Sequence, residues 1–187
     1  QAIYARSFEI IRAEADMRHL PKSAEPIAVR MIHACGMTDV VEDLVISDEF
    51  VAAALDPIAA SKPIFVDVAM VRNGIISRYF KQPHELVCKL NDPQAREIGI
   101  VKSITRSAAA VELWVPRLDG SLVVIANAPT ALFHLLELID EGAPKPAAII
   151  GMPVGFVGAV ESKAELAANS RGIPFATIQG RRGGSAM

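Results

Sequence analysis

The sequence predicts a three-layer α/β sandwich: a mostly parallel sheet of about five strands between helical layers, preceded by a helical N-terminal segment. Three observations predict it. Beyond Lys62, short apolar runs recur at Ile64–Val66, Leu86–Leu90, Leu122–Ala126, Ala147–Ile150 and Phe175–Ile178. Each run is apolar throughout rather than alternating, the pattern of a strand covered on both faces. Stretches of helical periodicity separate the later runs, and strand–helix–strand order implies crossovers within a parallel sheet.

The elements follow in order. Ser7 to Met17 places Phe8, Ile11 and Ala15 on one helical stripe, and Ala24 to Cys35 does the same with Ile27, Met31 and Cys35. Gly36 is a C-terminal stop for this second helix. Ser47-Asp48 is a cap for a third helix through Val51 and Leu55, halted near Pro57. Between the later strands, helices are expected over Thr105–Leu118, Thr130–Ile139 and Ser162–Asn169. No linker or internal repeat divides the chain, so residues 1–187 are read as one domain. The run Gly183-Gly184-Ser185 should introduce a further short C-terminal helix beyond Met187.

Composition excludes several classes. The 187 residues are 51% hydrophobic and 21% charged, the profile of a globular protein rather than a disordered one. No apolar run approaches the roughly 20 residues of a membrane span, and no secretory pattern opens the chain, so a cytoplasmic protein is expected. The formal net charge of −2 gives no global field for nucleic acid or an anionic membrane. Cys35 and Cys88 lack metal-ligand spacing and read as small buried hydrophobes. Local charge is more informative. Leu166 to Met187 holds Arg171, Arg181 and Arg182 without an acid, and the stretch around Lys102 and Arg106 is also acid-free. These are either solvated faces or the walls of an anion pocket.

Ligands of open parallel sheets bind at the carboxyl ends of the strands. Three such ends carry unusual loops: Asn127-Ala128-Pro129-Thr130, Gly151-Met152-Pro153-Val154-Gly155 and Gly180-Arg181-Arg182-Gly183-Gly184-Ser185. Each alone can be a tight turn. Together, with paired arginines suited to carboxylates, they favour a site for an anion larger than phosphate, held without a metal. No dinucleotide or phosphate-loop motif is present. Asp67, at the end of the first predicted strand, is either functional or a cap for the next helix, with the cap preferred. His19 and His84 read as surface residues and His134 as a packed helix residue. His33, with Arg30 one turn earlier, is either an ordinary helix histidine or a catalytic one.

At these residues the sequence resembles the precorrin-8X methylmutase family. The carriers are Ser7-Phe8-Glu9-Ile10-Ile11-Arg12-Ala13-Glu14, Arg30-Met31-Ile32-His33-Ala34-Cys35-Gly36, Thr105-Arg106-Ser107-Ala108-Ala109, Gly151-Met152-Pro153-Val154-Gly155-Phe156-Val157 with Glu161-Ser162-Lys163, and Gly180–Ser185. The resemblance spans Ile3 to Ser185.

The resemblance implies a flavodoxin-like sheet, a homodimer, and an isomerase of cobalamin biosynthesis that needs no cofactor. The reaction it implies is a 1,5-shift of a methyl group from carbon 11 to carbon 12 of precorrin-8X, giving hydrogenobyrinic acid. His33 matches the family's catalytic histidine and Arg106 its substrate-contacting arginine. Substrate contacts are further expected from Arg30, Thr105, Ser107, Asn127, Thr130, Gly151, Gly155, Arg181, Arg182, Gly183, Gly184 and Ser185. Three positions depart from the family's usual pattern: Ala69 where an acid is common, Ile76 in a usually more polar stretch, and Ile104 where asparagine often precedes Thr-Arg. Alternatives are action on the cobalt-containing precorrin-8, a non-catalytic corrinoid-binding protein on the same scaffold, and, more remotely, an α/β phosphate-ester or nucleotide enzyme.

Overall fold

The computed structural model describes residues 2–187. Two helices open the chain, α1 (Ala2–Glu14) and α2 (Glu25–Cys35). They are followed by β1 (Leu44–Ile46), α3 (Phe50–Ala59), β2 (Ile64–Val66), α4 (Ala69–Gly74) and β3 (Leu86–Val87). Then come α5 (Pro93–Lys102), α6 (Arg106–Glu112), β4 (Leu122–Ile125), α7 (Pro129–Asp140), β5 (Ala148–Gly151), α8 (Ala159–Ala168) and β6 (Phe175–Ile178). The strands form one sheet in the order β1-β6-β5-β4-β2-β3. All neighbours are parallel except β1, which runs antiparallel to β6. Without β1, the order of the five parallel strands is the 2-1-3-4-5 arrangement of a flavodoxin-like sheet, with its switch point between β2 and β4.

Two apolar cores cover the two faces of the sheet, so the three-layer expectation holds. On one face α2, α3 and α4 pack Met31, Ile32, Phe50 and Val71 against Ile64, Val66 and Ile178. On the other, α6, α7 and α8 pack Val111, Leu132, Leu135 and Leu166 against Phe65, Val123 and Ile149. Trp114 is fully buried and stacks on Phe65 with ring centroids 5.5 Å apart. Each large aliphatic side chain buried this way contributes roughly 1.5–3 kcal/mol.

The sheet has six strands, one more than expected. The extra strand β1 is three residues long, too short to show a periodicity, and forms only because β6 offers a partner. Ser47 extends that pairing instead of capping α3: its backbone N–H and that of Phe175 bond reciprocally, to the Phe175 carbonyl and the Ser47 hydroxyl, each at 2.9 Å. The third helix does end near Pro57, at Ala59, with Pro57 itself buried inside its last turn. The proline removes one intrahelical bond, and its burial keeps it in the helix. The first helix starts and ends earlier than its apolar stripe suggests. The stretch Thr105–Leu118 breaks after Glu112 into a 3₁₀ turn at Val115–Arg117, where Pro116 lacks an N–H. Two helices were not expected, α4 and α5, although Asp92-Pro93 is a readable start for α5, with the Asp92 carboxylate accepting from Gln94 N–H at 3.1 Å.

Candidate functional site

The carboxyl ends of β2, β4, β5 and β6 lie along one edge, and the three loops singled out in the sequence all sit there. The closing loop is fastened to its neighbour at several points. Gly155 N–H donates to the Arg181 carbonyl at 3.3 Å, and Gly184 N–H to the Met152 carbonyl at 2.9 Å. Gly183 (φ 151°) lies so close to β5's loop that a Cβ there would sit 2.4 Å from the Met152 oxygen. Only glycine permits this approach. Beneath these loops is an apolar cavity of about 330 Å³, lined by Ile27 and Met31 of α2, Val71, Gly74 and Ile75, Ala126, Met152, Gly184 and Ser185 among others.

At the switch point, Asp67 is buried and accepts three backbone N–H groups, from Ala126 at 3.2 Å and from Asn127 and Ala128 at 2.8 Å each. Burial pushes its carboxyl pKa up, and the three donors oppose that shift. Asp67 therefore does cap, but it caps the turn entering α7 across the sheet rather than its own following helix. The exposed Asn127 and Thr130 are presented by this turn. Thr130 accepts a 2.9 Å hydrogen bond from the Thr105 hydroxyl. Thr105 in turn accepts Ala108 N–H at 3.2 Å as the cap of α6, leaving Arg106 exposed at that helix's first position. Arg106 shares an open hollow with Arg96 and Asp92. Ser107 is half-buried one residue further on.

His33 and Arg30 lie elsewhere on the described chain. Ile27 and Met31 turn one face of α2 toward the cavity, whereas His33 meets α1, and its residue is exposed. Tyr4, Ser7 and Phe8, spaced to share one helical face, cradle the imidazole. Ring centroids are 5.2 Å from Tyr4 and 5.4 Å from Phe8, and Ser7 Oγ is 2.8 Å from Nδ1. The Arg30 guanidinium stands 5.8 Å over the same Phe8 ring. The site residues thus fall into three groups: the loop pair Gly151–Gly155 with Arg181–Ser185, the helix starts of Thr105–Ser107 with Asn127 and Thr130, and the α2 face with Arg30 and His33.

The basic stretches acquire acids from distant segments. Arg171 binds Asp140 and Glu165, and Lys102 binds Glu112. His134 also bonds Glu112, at 2.9 Å, and lies within 3.3 Å of Glu137, so it is tied into an ionic cluster rather than merely packed. His84 is half-buried with its centroid 4.4 Å from that of Phe80, not a surface residue. Arg182 donates to Asp39 and Asp43 at 2.6 Å each, and these acids hold its pKa above the usual arginine value. Arg181 is exposed, its guanidinium 5.1 Å over the Phe156 ring.

Sequence reasoning missed the cradle of α1, the Asp39–Asp43 pair and Lys163. Tyr4, Ser7 and Phe8 carried a signal in their i, i+3, i+4 spacing. Asp39 and Asp43 carried none, because they reach Arg182 only through the antiparallel pairing of β1. Among the described residues, no group of three or more His, Cys, Asp or Glu side chains is placed to hold a metal, and no helix is long and apolar enough to cross a membrane.

The profile of the precorrin-8X methylmutase family matches residues 2–187. Precorrin-8X methylmutases of a Sinorhizobium species and of Pseudomonas aeruginosa are each 52% identical over 100% of this chain, which spans 89% and 90% of their lengths. The cobalt-precorrin-8 methylmutase of Priestia megaterium is 35% identical over 100% of this chain and 83% of its own. A crystal structure of the precorrin-8X methylmutase from Thermus thermophilus superposes with a TM-score of 0.88 at 35% identity, covering 99% of this chain and 89% of that one. The chain belongs to the precorrin-8X methylmutase family.

Proposed function

We propose that this chain is an isomerase of cobalamin biosynthesis that converts precorrin-8X to hydrogenobyrinic acid by moving a methyl group from carbon 11 to carbon 12. The match to the family over residues 2–187 carries the reading. The metal-free substrate is favoured because the two relatives at 52% identity bear that name, while those named for the cobalt form stand at 29–36%.

The reaction conserves atoms. The carbon 11–methyl bond breaks, the carbon 12–methyl bond forms, and the double bonds of the ring rearrange. Protonating a ring nitrogen makes the receiving carbon electron-poor and lowers the barrier, provided the donor interacts more strongly with the migrating state than with the substrate. His33 is that donor, since imidazole as a class exchanges its proton near neutral pH. Ser7 at Nδ1 leaves Nε2 as the nitrogen that serves the substrate. Arg106, Arg181 and Arg30 meet substrate carboxylates beside the Gly151–Gly155 and Gly183–Ser185 loops. There the Gly155 and Gly184 N–H groups already bond the Arg181 and Met152 carbonyls, and so shape the edge rather than donate to substrate. Asn127, Thr130, Thr105 and Ser107 supply neutral hydrogen bonds at the same edge. The enzyme works in the cytoplasm as a homodimer, and the exposed face around His33 and Tyr4 is where a second copy completes the site.

The test is incubation of purified protein with metal-free and cobalt-bound precorrin-8X, following the visible spectrum, for wild type and His33→Ala across pH. Wild type converts the metal-free substrate, and the variant loses turnover together with the wild-type pH dependence. Turnover unchanged in His33→Ala removes the acid role, and corrinoid binding without turnover in wild type makes this a binding protein.

A further inference from the structure

Lys163 is the largest buried polar side chain among the described residues, and the isomerisation has no use for it. It belongs to α8, on the face that also buries Ser162 and Leu166, and its residue exposure is 0%. An ammonium taken out of water is costly unless a strong acceptor meets it. Here Nζ donates to the main-chain carbonyl of Arg182 at 2.5 Å. That carbonyl belongs to the glycine-rich loop over the cavity, which has no regular structure to hold it.

The loop is gripped on the other side as well. The Arg182 guanidinium bonds Asp39 and Asp43, the acids that β1 brings to the carboxyl edge by pairing antiparallel to β6. Arg182 is thus fixed at its backbone from below and at its side chain from above. Its two neighbours are fixed in consequence: Arg181, whose guanidinium bonds no acid among the described residues, and Gly183, which leads through Gly184, held on the Met152 carbonyl, to the N–H of Ser185. Burial also holds the Lys163 ammonium down to about 8, with Asp43 opposing.

We propose that Lys163 is a positioning residue for substrate binding: it anchors the Arg182 carbonyl, and with Asp39 and Asp43 makes Arg182 a clamp that presents Arg181 and the N–H groups of Gly183 and Ser185 to substrate carboxylates. The inference rests on the function proposed above. It assigns Arg182 an indirect role, since its guanidinium already has two partners. Glycine-rich backbone loses more conformational freedom on ordering than other backbone, so an unclamped loop binds an anion more weakly at each encounter. Chemistry at His33 is untouched, because Lys163 reaches neither the imidazole nor the cavity.

The experiment compares wild type, Lys163→Met and the double variant Asp39→Asn/Asp43→Asn. Each is assayed with precorrin-8X, and amide hydrogen exchange is followed along the whole chain. Lys163→Met, which keeps the volume of the side chain, should raise KM about tenfold while kcat stays within about threefold. Exchange should accelerate in the segment 179–187 and remain at wild-type rates in β4 and β5. The double variant should show the same pattern in weaker form from the opposite side of the loop, and it leaves the buried site intact should Lys163→Met fail to fold. Unchanged exchange at 179–187 in the variants that fold overturns the proposal, as does faster exchange spread evenly over the chain with KM unmoved. Absence of turnover in wild type would instead overturn the isomerase reading, and the exchange data would still decide for Lys163.

Discussion

The hydroxyl of Ser7 lies 2.8 Å from Nδ1 of His33, joining two helices across 26 residues of sequence. The hydrogen bond fixes the ring orientation and selects which nitrogen faces outward. Ser7→Ala should therefore reduce kcat roughly fivefold, the equivalent of one ordinary hydrogen bond, with little change in KM. Steady-state kinetics on the spectral assay checks this, and a kcat equal to wild type would separate Ser7 from the chemistry.

Arg106 occupies the first position of α6, where the helix dipole disfavours a cation. The fold thus gains nothing from its charge. Arg106→Ala should leave the melting temperature unchanged or slightly higher while raising KM about tenfold, with kcat within about twofold if the contact is anchoring alone. A loss confined to kcat would place the guanidinium in the transition state.

Asp67 gathers three backbone N–H groups from the turn before α7. An amide at that position has one acceptor oxygen and turns its own N–H groups toward donors. Asp67→Asn should cost about 1–3 kcal/mol, lowering the melting temperature by roughly 2–10 °C. KM should rise too, because Asn127 and Thr130 are held by that turn. Calorimetry and kinetics on one preparation read both effects.

Gly183 has no room for a side chain beside the Met152 and Pro153 carbonyls, at 2.4 and 2.8 Å from a built Cβ. Gly183→Ala must strain or displace the loop, at about 1–3 kcal/mol, and should weaken substrate binding. Gly172→Ala is the control. It too has a positive φ (75°) but open space around it, so a modest stability loss with wild-type KM is expected. Equal KM values in the two variants would detach the loop from the substrate.

The parts of the fold that were legible are those with local causes. β2 and β6 sit where their apolar runs are, and α2 ends at Gly36 in a left-handed turn. The misplacements share another cause. Ser47 reads as a cap because its side chain can bond its own neighbourhood, yet β6 competes for it and wins. Pro57 marks the end of α3 to within two residues, but packing keeps it inside the last turn, which the lost N–H visible in sequence does not show. The two expected basic stretches were half legible: among the described residues Arg181 and Arg106 bond no acid, while Arg171, Arg182 and Lys102 meet acids from outside those stretches.

The sequence by itself determined the layered α/β architecture, the strand-end loops and, through resemblance, His33 and Arg106, because periodicity and short motifs are properties of neighbouring residues. Tertiary structure decided what those residues face. The three-residue strand β1 exists only through its pairing with β6, and that pairing carries Asp39 and Asp43 to Arg182. Packing of α1 on α2 likewise puts Ser7 against His33. Such contacts depend on the relative placement of whole elements, so no local pattern in the chain announces them.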